Sequence, residues 1–88
     1  MKALILYRAN SEHGRVVDEF VSEFKHRTSK DLILLDVDTK EGANQAELYD
    51  VMQYPAVLTV RDDGQLAKSW VGTPLPLVND VAGYLVGQ

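Results

Sequence analysis

Leu48-Tyr49-Asp50-Val51-Met52-Gln53-Tyr54-Pro55-Ala56-Val57-Leu58-Thr59-Val60 reads as a helix end, a turn carrying Tyr-Pro, and a buried strand. The strand runs from Ala56 to Arg61, and Asp63-Gly64 follows as a strong hairpin signal, because such turns need positive φ. A second strand, Gln65 to Val71, completes the hairpin and leads into Gly72.

The rest of the chain supplies the partners this hairpin needs. Ala3-Leu4-Ile5-Leu6-Tyr7 is a continuous apolar run, as expected of a central strand covered on both faces. The polar loop Ala9 to Gly14 offers Asn10 or Ser11 as a helix cap. Val16, Val17, Phe20, Val21 and Phe24 then form one helical stripe, opposite Asp18, Glu19, Ser22 and Glu23. Leu32 to Asp38 reads as a second buried strand, Thr39 to Ala43 as a loop, and Asn44 to Met52 as a short helix. The last helix is expected over Pro76 to Val86, with Leu77, Val78, Val81 and Leu85 as its apolar stripe. The order is β-α-β-α-β-β-α. Its first two strands, joined through a helix, are expected to be parallel with a right-handed crossover. A four-stranded mixed sheet with helices on both faces satisfies every apolar face.

At 88 residues the chain is expected to form one domain, 1–88. An apolar fraction of 45% argues against disorder, and without cysteine, apolar packing must hold the fold. A net charge of −4, with acidic residues interleaved among the basic ones, disfavours nucleic acid as a partner. Ala3 to Tyr7 is too short for a signal-peptide core or a membrane span, so no membrane association and a cytoplasmic location are expected.

The series from Leu48 to Gly72 closely resembles the C-terminal half of the thioredoxin family, in which the corresponding proline is cis and faces a redox dithiol. The resemblance covers essentially the whole chain, and the N-terminal part is more similar to glutaredoxin. It implies a minimal thioredoxin-like α/β fold. In glutaredoxin-like proteins a Cys-x-x-Cys follows the first strand. Here Ser11-Glu12-His13-Gly14 lies over that motif, with Ser11 at the nucleophile position and Gly14 at the resolving position. The chemistry needs a thiolate favoured by the helix N-terminus. A serine hydroxyl stays protonated at neutral pH and forms no disulfide, so thiol–disulfide exchange is excluded for this chain.

What the resemblance leaves is a surface. In the family, the backbone before the cis-proline pairs with extended substrates and with glutathione, much as an added strand would. The expected contacts are Ser11, Glu12, His13 and Gly14 on one side, Gln53, Tyr54 and Pro55 in the middle, and Val71, Gly72 and Thr73 on the other. Arg8 stands where glutaredoxin-like proteins often carry a basic residue for a glutathione carboxylate. With Arg15 and the first helical N–H groups it is a candidate anion site, or else an exposed surface ion pair. Val71-Gly72-Thr73-Pro74 departs from the glutaredoxin Gly-Gly-aromatic-x-Asp stretch and is closer to thioredoxin's protein-facing surface.

Other polar residues carry less. His13 lacks an orienting third group and reads as an exposed loop histidine rather than a catalytic base. Asp36, Asp38 and Glu41 lack a recognisable metal-ligand spacing. Trp70 either packs under a helix or anchors a partner. The leading expectation is a redox-inactive domain that binds a protein or extended peptide. A glutathione-binding or serine-type transferase-like module using Ser11 and Arg8 is the rival, although 88 residues leave no room for a transferase's second domain. A structural or oligomerising domain is the third reading; Lys68 on the edge strand discourages indiscriminate pairing but does not forbid a dimer.

Overall fold

The computed structural model describes residues 1–85. Strands β1 (Lys2–Tyr7), β2 (Ile33–Asp36), β3 (Ala56–Val60) and β4 (Leu66–Val71) form one sheet in the order β2-β1-β3-β4. β1 runs parallel to β2 and antiparallel to β3, and β3 and β4 form the antiparallel hairpin. Helices α1 (Gly14–Thr28) and α3 (Val78–Ala82) cover one face of the sheet, and α2 (Lys40–Leu48) covers the other. The mixed sheet and the element order are those expected from the sequence.

Two apolar clusters hold the layers together. Val17, Phe20 and Phe24 of α1 and Val78 and Val81 of α3 pack on Ala3, Ile5 and Val57. Ala46 of α2, with Val51 behind it, packs on Leu4, Leu6, Ala56, Leu58 and Val60. β1 and β3 therefore bury both faces, as their unbroken apolar runs require. Trp70 packs against the α1/α3 cluster, edge-on to Tyr84 at 5.5 Å between ring centroids.

Several boundaries differ from expectation for identifiable reasons. β2 is shorter than Leu32–Asp38 and is not fully buried, since Ile33 and Leu34 are exposed on an edge strand with β1 as its one neighbour. Val16 is also exposed, because it lies about 80° around α1 from Phe24, at the margin of the stripe. α2 starts at Lys40, not Asn44, because Thr39 is its cap: the Thr39 hydroxyl oxygen accepts from Gly42 N–H at 3.2 Å. It ends at Leu48, where Asp50 takes φ 58° and turns the chain. The hairpin loop is longer than Asp63-Gly64: Gly64 N–H reaches Arg61 O and Arg61 N–H reaches Gln65 O, with positive φ at Gly64 alone. The last helix is confined to Val78–Ala82, with Leu77 exposed at its cap; the expected end at Val86 lies outside the described residues.

Gly42 is where α2 meets the backbone leaving β2. A Cβ there would overlap the Asp36 carbonyl and come within 2.9 Å of Val37 N. Within a helix, Gly→Ala ordinarily stabilises by about 0.5–1 kcal/mol. Gly42→Ala is expected to do the reverse, lowering the unfolding free energy by about 1–3 kcal/mol as α2 is pushed off the sheet. Urea unfolding of the two proteins checks the sign.

Candidate functional site

Three strand ends converge on Arg8. The register sets Leu6 opposite Ala56, which brings the residue two beyond Leu6 beside the segment that precedes β3. It also sets Tyr7 beside Asp36, which brings Arg8 near the end of β2. The Arg8 guanidinium accordingly lies 5.6 Å from the centre of the Tyr54 ring and donates to Asp38 Oδ1 at 2.8 Å. Both charges are half exposed, so the ion pair contributes little stability, and it engages one end of the guanidinium, Nη1. The neighbouring Asp36 carboxylate accepts from Asp38 N–H.

The loop after β1 is tied to the main chain of Arg8. Ser11 Oγ donates to Arg8 O at 2.6 Å, and Ser11 O accepts from Gly14 N–H at 3.2 Å. This extra turn explains why neither Asn10 nor Ser11 caps α1. His13 occupies the cap position and makes no side-chain cap bond. Nor is His13 a free loop histidine: it is half-buried and its Nε2 accepts from Arg8 N–H at 3.1 Å. Gly14 is buried, and a Cβ there would stand 2.6 Å from the Ala9 carbonyl oxygen. Glu12 is exposed.

The middle of the site is Gln53-Tyr54-Pro55. The Tyr54–Pro55 peptide is cis, and so is Thr73–Pro74. Pro55 is buried, and its carbonyl accepts from Gly72 N–H at 2.8 Å, which holds the loop after β4 against the start of β3. Gln53 lies beside Gly72, and Val71 pairs with Ala56 while remaining exposed. Thr73 is exposed. Tyr54 is half-buried against the α2-side cluster, with its hydroxyl at 3.4 Å from Val51 O. Among the described residues, neither the main-chain N–H nor the C=O of Tyr54 has a hydrogen-bond partner.

Gln53–Pro55 and Val71–Thr73 thus form one patch, and Arg8 joins it through the Tyr54 ring. Ser11 to Gly14 attach to Arg8; among the described residues no hydrogen bond or ion pair links them directly to Gln53–Pro55. Arg15 pairs with Glu19 at 3.6 Å, so the proposed pairing of Arg8 and Arg15 in one anion site gives way to two separate ion pairs. Sequence reasoning missed Met52, which is 82% exposed beside the patch, and the acidic pair Glu47 and Asp50 nearby. Reading Met52 as the end of a helix concealed it; the helix ends four residues earlier.

No protein-family model matches the chain, and no curated protein matches its sequence. Among solved structures it is similar to thioredoxin 1 from the thermophilic eubacterium Thermosipho africanus, with a TM-score of 0.71 and 15% identity over 97% of this chain and 94% of that one. It is also similar to oxidised thioredoxin O2 from Arabidopsis thaliana, with a TM-score of 0.71 and 14% identity over 96% of this chain and 70% of that one. The chain has a thioredoxin-like fold. Among the described residues, no helix is long and apolar enough to cross a membrane.

Two expectations follow from this geometry. Gly14→Cys should lower stability by about 1–3 kcal/mol in urea, because its Cβ meets the Ala9 backbone, whereas Ser11→Cys should not meet that obstacle. Burial first, then the Asp18 and Asp36 carboxylates, hold the Tyr7 phenol above its ordinary value of 10.0. The folded state therefore favours the neutral phenol. Its contribution is complete below pH 10.0 and is lost as pH rises through the folded value. Unfolding measured across this alkaline range should show a shallower decline for Tyr7→Phe than for the unmodified chain.

Proposed function

We propose that this chain is a redox-inactive thioredoxin-like domain that binds an extended peptide or protein segment at Gln53–Pro55 and Val71–Thr73. The observation that carries this reading is the main-chain N–H and C=O of Tyr54, a donor and an acceptor that have no partner among the described residues, in the segment leading into β3. An incoming extended segment can pair with both, as in strand addition. Met52 and Val71 stand exposed on either side and supply apolar contact. Redox inactivity rests on chemistry: exchange needs a thiolate, and none of the 88 residues is cysteine.

The glutathione-centred alternative is less well supported by the same geometry. A serine that stabilises a bound thiolate must donate its proton to sulfur, and Ser11 donates to Arg8 O. Arg8 already donates to Asp38, so a ligand carboxylate would share or displace that partner.

The decisive experiment is an amide-resolved NMR titration with heptapeptides selected for binding from a random library, run beside a titration with reduced glutathione. Peptide shifts are expected at Gln53, Tyr54 and Gly72. Met52→Ser should weaken binding several-fold, an effect of about 1 kcal/mol, with an unchanged melting temperature. Peptide shifts centred on the β2 edge, at Ile33 and Leu34, would remove this assignment. Glutathione shifts at Arg8 and Ser11 would favour the alternative.

A further inference from the structure

Beside Tyr54 the protein has a cleft of about 300 Å³ between the end of α2 and the segment leading into β3. Val37, Ala46 and Val51, all buried, make its apolar interior, and exposed Met52 flanks it. Its charged residues are Arg8, Glu47 and Asp50. Arg8 is neutralised by Asp38. Among the described residues, the Glu47 and Asp50 carboxylates have neither an ion-pair nor a hydrogen-bond partner. Both sit at the C-terminal end of α2, where helix carbonyls already concentrate negative charge, and the last turn contains no basic residue to offset them. The cleft is therefore apolar inside and anionic at its rim.

We propose that this cleft receives a lysine or arginine side chain from the segment bound at Tyr54. The methylenes lie against Val37, Ala46 and Val51, and the cationic head meets Glu47 and Asp50. Lysine and arginine are the side chains with this division between an apolar stem and a charged tip. An acidic side chain would face two like charges, and a neutral apolar one would leave both carboxylates unmatched. The assignment rests on the peptide-binding reading above and adds the chemistry of one contact to it.

The test uses N-acetyl-arginine amide and N-acetyl-lysine amide as probes, with N-acetyl-norleucine amide as the uncharged control, followed by amide NMR. The cationic probes should shift Glu47, Asp50 and Val51, and the shifts should shrink at high salt. Glu47→Gln with Asp50→Asn should weaken these probes about tenfold. Asparagine accepts the left-handed backbone at Asp50, so this double variant stays folded. Equal shifts from norleucine amide, or none from the cations, overturn the assignment. The selected heptapeptides separate the two levels. Peptides that shift Tyr54 without enrichment in Lys or Arg overturn the cleft assignment and leave the peptide surface standing. Cationic-probe shifts at the cleft with no peptide engaging Tyr54 support the cleft's preference for a cation but remove the peptide surface, and with it the segment proposed to supply the side chain.

Discussion

The pairing of β1 with β3 is the constraint on which the remaining structure depends. With Leu4 opposite Leu58 and Leu6 opposite Ala56, alternate side chains of both strands share the α2 face, while Ala3, Ile5 and Val57 turn to α1 and α3. A slip of one residue would exchange the two sets and leave neither helix layer with its surface. The same register aligns the end of β1 with the segment entering β3. That is why Arg8 meets Tyr54, and why a loop following one strand and a turn preceding another become one surface.

Around that surface, polar side chains of the loop after β1 bond to nearby main chain. Ser11 and His13 bind the two main-chain groups of Arg8, O and N–H respectively, so the loop after β1 is closed on itself. Gly14 packs so closely on Ala9 that the loop is shaped for a residue without a side chain. What remains open lies on the other side of Arg8: the main-chain groups of Tyr54, without partners among the described residues, the exposed Met52 and Val71, and the cleft under the end of α2. Ser11 and His13 are thus satisfied within their own loop, and the part that faces outward is the turn before Pro55.

Much of the architecture was legible because hydrophobic patterning reports burial directly. The runs Ala3–Tyr7 and Ala56–Val60 are central strands, and Val17, Phe20 and Phe24 are the buried stripe of α1. Patterning failed where position in the sheet, not composition, sets exposure. Ile33 and Leu34 are as apolar as Leu4 and Ile5 yet stand on an edge. It failed again at α2, where Gly42 resembles a helix breaker but is the residue that lets the first turn approach Asp36.

By itself the sequence determined the order of elements, the hairpin around Gly64, the residues available to the core, and the absence of any thiol. Those properties follow from local composition and periodicity. Only the tertiary structure decided which polar groups meet. Arg8 and Asp38 are thirty residues apart in the chain and are joined because β1 and β2 run parallel side by side. Glu47 and Asp50 become the rim of a cleft because α2 ends over the same strands that carry Val37 and Tyr54 to it. Contacts of this kind depend on register and on where a helix stops, and both are fixed by packing between segments distant in sequence.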